Sequence, residues 1–427
     1  MHKRRTFLKA QAMLLASLAL PVRLRAEAAA DLAVLPAAGE LPDEAYWKEV
    51  RARFPLDSDR IFLNNGAMGI CPQPVLQAVR DSFDNTYRNA IYGGGEKEVL
   101  DALAPFVGAG TDELALVHNV TEAINIVAWG LPLKKGDEVL MTKHEHVGNA
   151  LPWLNRARVD GIRIKTVDLG ATAAETLDNV NRAIGKRTKA IALPHIPCTI
   201  GQVLPAKDIC TLARSKGLFT FIDGAHPPGM LQVDLHDIGC DFYASCCHKW
   251  MLAPQGTAFL YVRKEMQDRL EALFVGGYSD TGWSMIQEKP AMQGLVPSAH
   301  RYFYGTRSAA LYKGVEAAIA FQQLIGRDRI EARVKALSGH LQQELLALGD
   351  GIQMLTPQED ISRGAQVAFR FRRKDTKTFQ DELNKRRITV RYVPENEVNC
   401  LRISTHIYNS NDDIGHFMEA VKFWINA

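Results

Sequence analysis

Short apolar runs of strand length, separated by helix-length amphipathic segments, occupy the first two-thirds of this chain and set what it can fold into. Glu113–Val117, Asp137–Thr142, Gly161–Val167, Lys189–Leu193 and Leu218–Asp223 read as strands. Thr121–Leu131 reads as a helix, and Pro205–Lys216 begins with proline and stops at Gly217, as helices do. The alternation predicts an α/β fold with a mostly parallel sheet. In such a sheet the carboxyl ends of the strands share one edge, and ligands bind beyond it. The residues predicted at that edge are His118 to Glu122, Lys143 to His146, His195 to Thr199, Asp223 to His226 and Ser245 to Lys249. Five polar clusters on one edge predict a binding site.

After about Gly305 the pattern changes. Longer amphipathic helices, Ala309–Ile325 and Ile330–Leu348, are followed by short strands at Gln366–Phe371, Ile388–Tyr392 and Cys400–Ser404. The expected organisation is an N-terminal segment (27–60), a large domain (61–304) and a smaller C-terminal α+β domain (305–427). With 47% hydrophobic and 23% charged residues, the 427-residue chain has an ordinary globular composition, and its net charge of +3 points to no nucleic-acid partner. Seven cysteines, an odd number without a C-x-x-C pair, are expected to be buried small hydrophobes rather than a disulfide framework.

Residues 1–26 are expected to be an export signal. Arg4-Arg5-x-Phe7-Leu8-Lys9 has the twin-arginine form, an apolar stretch runs from about Ala10 to Val22, and small residues follow. The stretch is short of the roughly 20 apolar residues of a membrane span. The expected destination is the periplasm, with the twin-arginine translocase as partner during export. The alternative is an amphipathic N-terminal helix of a cytosolic protein.

Within the predicted edge, Asp223 and Lys249 form the smallest pair able to hold pyridoxal 5'-phosphate. A lysine amine condenses with the cofactor aldehyde, while an aspartate pairs with the pyridinium nitrogen and keeps the ring an electron sink. Thr121 stands at a helix start, where unpaired N–H groups and the helix dipole favour a phosphate; it also reads as a plain N-cap. No G-x-G-x-x-G or P-loop lysine accompanies it, which argues against a dinucleotide or ATP.

Seven landmarks in order carry a family resemblance: Phe62 to Gly66, Thr121 to Asn125, Glu145 to Trp153, Asp223 to His226, His248 to Trp250, Gly305 to Arg307 and Leu401 to Ser404. From about Ile61 to Ile425 the chain resembles the class V aminotransferases of fold type I, which include cysteine desulfurases and isopenicillin N epimerase. The resemblance implies that His146 stacks on the pyridine ring, that Asp223 pairs with its nitrogen and that His226 lies near its hydroxyl. It also implies that Thr121, the Glu122 backbone and His248 hold the phosphate, with Thr199 at a further cofactor contact. Gly305 and Thr306 would reach the phosphate of a neighbouring subunit, implying a homodimer with shared sites. Asn65 and Arg402 would bind substrate, Arg402 through a bidentate contact with a carboxylate. Lys249, once freed, would act as general base at the substrate Cα.

Two departures bear on the reaction. Cys246 stands three residues before the lysine where desulfurases have serine, and Cys198 or Thr199 stands where they have asparagine. The loop Arg391–Asn399 contains no cysteine, whereas desulfurase chemistry requires a mobile thiolate there. With the export signal, the resemblance leans toward the periplasmic class V enzymes that tailor the glutamate of pyoverdine siderophores, giving a succinamide or a keto acid; the substrate would be a siderophore precursor. A second expectation is an aminotransferase or epimerase of another small amino compound. A third, of a different class, is a metal- or ligand-binding protein using His144, His146, His195, His226 and His248.

Overall fold

The computed structural model describes Leu35, residues 43–286 and residues 288–427, so the expected export signal lies outside the described residues. The central sheet has seven strands: β1 (Leu114–Val117), β2 (Glu138–Thr142), β3 (Arg163–Val167), β4 (Thr188–Pro194), β5 (Phe219–Asp223), β6 (Phe242–Cys246) and β7 (Ala258–Val262). Their order is β1-β7-β6-β5-β4-β2-β3. The pairs β2/β3, β2/β4, β4/β5 and β5/β6 are parallel. Only β7 opposes its neighbours β1 and β6. Residues 247–257, which lead into it, contain no helix to make a parallel crossover, so the chain returns antiparallel.

Helices cover the sheet because its strands are apolar on both faces. They include α2 (Gln73–Arg88), α3 (Glu96–Val107), α4 (Val120–Gly130), α5 (Val147–Asp160), α6 (Ala173–Ala183), α7 (Ala206–Ser215) and α8 (Ala309–Ile325), whereas α1 (Asp43–Arg51) precedes them in the chain and packs in a separate cluster. Among the described residues no helix is long and apolar enough to cross a membrane. The smaller body contains α9 (Arg327–Leu346), α10 (Thr376–Lys385) and α11 (Asn411–Asn426), packed on an antiparallel sheet. That sheet comprises β8 (Ile352–Met354), β9 (Gln366–Phe371), β10 (Arg391–Val393) and β11 (Cys400–Ser404), in the order β8-β9-β11-β10.

The division between bodies differs from the expected one at both ends. Val315, Ala318 and Ile319 of α8 lie in the same core as Leu103, Leu116, Phe221 and Phe259, so this helix belongs to the large domain although it follows residue 305. Conversely, Ile61–Phe62 pairs in parallel with Ile388–Thr389, and Leu63 lies in the small core with Leu337, Phe369 and Ile403. Amphipathicity shows that a helix has an apolar face but not which core receives it. A third cluster joins Tyr46, Trp47 and Phe54 to Trp250, Phe321 and Tyr408, tying α1 to the lysine's loop.

Candidate active site

The backbone around Lys249 is over-determined. Cys247 N donates to Thr257 O (3.0 Å), Ala253 N to Cys247 O (3.0 Å) and Leu252 N to Lys249 O (3.3 Å). Leu252 takes a left-handed φ of 62° while fully buried, a strained conformation that only packing maintains. From the other side, Gly69 N donates to His248 O (2.8 Å). A Cβ at Gly69 would lie 1.8 Å from Lys249 O, and one at Gly66 would lie 3.0 Å from Arg402 Cζ. The loop 64–69 therefore threads between the lysine and Arg402 only because both positions lack a side chain.

Asp223 ends β5 and is buried, its carboxylate accepting from Ala225 N (3.0 Å). Burial pushes its carboxyl up, and the Lys249 charge opposes this. Lys249 Nζ makes no hydrogen bond or ion pair among the described residues, yet its charge acts on Asp223, His146, His226, His248 and Cys246. These expected site residues thus surround one amine.

Hydrogen bonding fixes the histidine tautomers. His226 Nδ1 accepts from Trp250 Nε1 (3.0 Å) and lies 3.1 Å from Gln366 Nε2, so the proton sits on Nε2. That Nε2–H is buried without a partner. Burial, reinforced by Lys249 and Arg402, pushes this ring well below the usual histidine range, so it is neutral. His146 caps α5, its Nδ1 accepting from Gly148 N (3.0 Å), and burial followed by the Lys249 charge pushes it down to about 4. His248 is likewise pushed down to about 4, first by burial, and its Nδ1 is buried without a partner. His144 and His195 are turned to other partners, Thr199 Oγ1 (2.9 Å) and the Tyr243 hydroxyl (3.0 Å). Among the described residues no three His, Cys, Asp or Glu side chains are grouped to hold a metal ion.

Arg402, from β11, is fully buried. Its Nη1 donates to Cys198 O (2.8 Å) and its Nη2 to Asn64 Oδ1 (3.1 Å), while Nε has no partner. Burial, then repulsion from Arg391, pushes it down to about 10. No carboxylate forms an ion pair with it among the described residues, although a buried guanidinium normally has one.

One expectation is corrected, and several other expected residues have partners of their own. Asn119, not Thr121, caps α4, its Oδ1 accepting from Glu122 N (2.9 Å). The Glu122 N–H expected at the phosphate is therefore already used. Its carboxylate takes hydrogen bonds from His118 N (2.7 Å) and the Tyr304 hydroxyl (2.7 Å). Thr121 lies in the exposed first turn. Thr199 turns its hydroxyl to His144, and Cys198 instead carries the influence of Arg402 and Lys249. Asn64 reaches Arg402, whereas Asn65 sits behind it, its Oδ1 accepting from Tyr408 (2.8 Å) and its Nδ2 buried without a partner. The chain turns directly after the Asn64 bridge, so the adjacent asparagines point different ways, and sequence alone does not choose between them. Thr306 is exposed, its hydroxyl 3.0 Å from Tyr92, with open space around Gly305.

A buried network orders the His144–His146 loop. Trp153 Nε1 donates to Asn149 Oδ1 (3.2 Å), Asn149 Nδ2 to Glu145 Oε2 (2.7 Å), and Thr142 N and Oγ1 to Glu145 Oε1 (both 2.9 Å). Burial outweighs these bonds and pushes the Glu145 carboxyl from 4.5 up to about 7. The folded protein keeps this proton where the unfolded chain has released it, so stability falls as pH rises from about 4.5 through about 7. Glu145→Gln removes the titration. Its melting temperature is expected to change less than that of the parent protein between roughly pH 5 and 8, the difference amounting to at most about 3 kcal/mol. Parallel pH profiles would assign Glu145 no such role.

All seven cysteines carry unpaired thiols, six of them buried. Cys400 Sγ donates to Thr199 O (3.6 Å), and burial pushes that thiol up to about 12, unsuited to a thiolate nucleophile.

The buried orphans test the fit of a cofactor. His226 Nε2–H lacks an acceptor and His248 Nδ1 lacks a partner, each such orphan costing about 1–3 kcal/mol, and the Asp223 carboxylate has a single hydrogen bond. A protonated pyridine nitrogen and a ring hydroxyl supply what Asp223 and His226 lack. The fold and this lysine-centred site define a fold type I enzyme dependent on pyridoxal phosphate. The chain belongs to the aminotransferase class-V family, whose sequence model matches residues 61–417. It is similar to the isopenicillin N epimerase of Amycolatopsis lactamdurans, 30% identical over 397 residues (88% of this chain, 98% of that protein). The isopenicillin N epimerase of Streptomyces clavuligerus is 32% identical over 394 residues, with the same coverages of 88% and 98%. In fold the chain also resembles the apo cysteine desulfurase of Thermococcus onnurineus NA1, with TM-score 0.81 and 24% identity, covering 92% of this chain and 100% of that one.

Proposed function

We propose that this protein is an exported pyridoxal-phosphate enzyme that converts the amino end of the glutamate of a pyoverdine-type siderophore. The observation carrying it is the buried guanidinium of Arg402, which has no counter-ion among the described residues and acts with Lys249 on His226, beside Asp223, as a receptor for an amino acid carboxylate. The twin-arginine sequence at Arg4 and Arg5 supports the periplasmic address. Bound at Lys249, the cofactor withdraws electrons from the substrate Cα.

The chain supplies the rest. Arg402 takes the carboxylate and orients Cα. Lys249 removes the Cα proton, returning it to Cα in an epimerisation and not in a transamination. Asp223 holds a proton on the ring nitrogen, and neutral His146 offers a ring face. Burial of Arg402 and Asp223 keeps water from them, which strengthens their electrostatic contacts. The absence of a thiol in residues 391–399 disfavours sulfur transfer. The names of the relatives support a second reading, epimerisation of another small amino compound.

A homodimer completes this reading. Tyr87, Tyr92, Trp283 and Ile286 are exposed at 79%, 79%, 68% and 98%, and Thr306 contacts Tyr92, so a second copy would cover apolar surface beside the segment expected to reach its phosphate. Purified protein incubated with ferribactin-type precursor is expected to change the mass of the glutamate side chain and to scatter light as two chains. An unchanged precursor removes the siderophore assignment, and a single-chain mass removes the shared site.

A further inference from the structure

Arg391 and Arg402 are direct partners across the antiparallel pair β10/β11, so both side chains leave the same face of the sheet. Like charges placed opposite each other are unfavourable, and the structure treats the two differently. Arg402 has no counter-ion among the described residues, whereas Arg391 Nη2 is paired with Glu395 Oε1. The second carboxylate oxygen of Glu395, Oε2, is buried without a partner. The Glu395 charge acts on His146, Cys198 and Arg402, which places it at the site rather than outside it.

The loop that carries Glu395 is held in place. Asn396, Glu397 and Asn399 all take left-handed φ values, of 49°, 61° and 48°, tolerated by asparagine but costly for Glu397. Asn396 Nδ2 donates to Lys143 O, linking this loop of the small body to the large one beside His146. Strain of this kind persists where surrounding contacts impose it, commonly at ligand clamps.

We infer that Arg391 and Glu395 form a neutral donor and acceptor pair that reads the far end of the substrate side chain as an uncharged amide. Arg391 donates to the amide oxygen and Glu395 Oε2 accepts from its N–H. This rests on the reading of Arg402 as the carboxylate receptor. Because Glu395 already neutralises Arg391, a second carboxylate would gain no net attraction there, would offer Oε2 no proton and would face that oxygen's negative charge at close range, so it is rejected. Glu395 is then the specificity-determining residue, excluding free dicarboxylic amino acids in favour of side-chain amides.

The test uses two ligands without an amine, glutarate and its monoamide, titrated calorimetrically into the purified holoenzyme. The parent protein is expected to bind the monoamide more tightly than glutarate by roughly tenfold or more. Glu395→Gln releases Arg391 and is expected to reverse the order, while Arg391→Leu weakens the monoamide and leaves glutarate excluded. Unchanged melting temperatures show that both variants fold. Equal binding of the two ligands by the parent protein, or the same ratio in Glu395→Gln, overturns the inference. Neither ligand can react with the cofactor, so the outcome is separate from that of the siderophore assay. If the precursor is left unconverted while the ligand preference reverses in Glu395→Gln, only the siderophore assignment falls.

Discussion

Lys249→Ala is expected to yield a folded, colourless protein whose turnover is lower by about 10²–10⁴-fold at least. Loss of the base is compounded by loss of the covalent attachment point for the cofactor. Folding should survive because Lys249 Nζ has no hydrogen bond or ion pair to lose among the described residues. One cation does disappear from beside Asp223, whose carboxyl, already pushed up by burial, then rises further. Borohydride should fix the cofactor onto the parent protein and add nothing to the variant, as read by mass. A variant that keeps its yellow colour and is still fixed by borohydride would remove Lys249 from the mechanism.

The second large effect is expected of Arg402→Lys. An ammonium on a flexible stem keeps the charge but cannot offer the planar fork that a carboxylate accepts. Losing one charge-assisted hydrogen bond in a buried site costs about 2–3 kcal/mol, so kcat/KM should fall by roughly 30–150-fold. Stability should change less, because the lysine keeps the buried charge that lacks a counter-ion and only the hydrogen bonds to Cys198 O and Asn64 Oδ1 are at stake. A drop in melting temperature with unaltered kinetics would mean that Arg402 serves only to join Cys198 O and Asn64 to β11.

Both expectations start from residues that could be picked out before folding, and the reason is local. Asp223 and Lys249 stand at the ends of apolar runs, and strand ends in a parallel sheet share an edge whatever the loops do. Other elements were equally readable: the helix Ala309–Ile325 and the strands Gln366–Phe371 and Cys400–Ser404 have the expected bounds. β7 was not anticipated, because a fully buried short apolar run has no alternation to mark it as a strand. The fates of neighbouring polar residues were also unreadable. Asn64 faces Arg402 while Asn65 faces Tyr408, and Asn119 rather than Thr121 caps α4. One residue of shift turns a side chain to the opposite side, and sequence spacing does not resolve a single residue.

Arg391 illustrates the same boundary at longer range. Its separation from Arg402 along the chain reveals nothing, yet the β10/β11 register sets them face to face. The sequence by itself determined the class of sheet, the edge on which chemistry is done and the lysine and aspartate that do it, since these follow from hydrophobic periodicity and residue chemistry. Only the tertiary structure decided which body each helix joins, which histidine nitrogens lack partners, and that one arginine is left without a counter-ion while its neighbour has one. Those outcomes depend on packing and hydrogen-bond satisfaction between segments far apart in the chain, which no local pattern encodes.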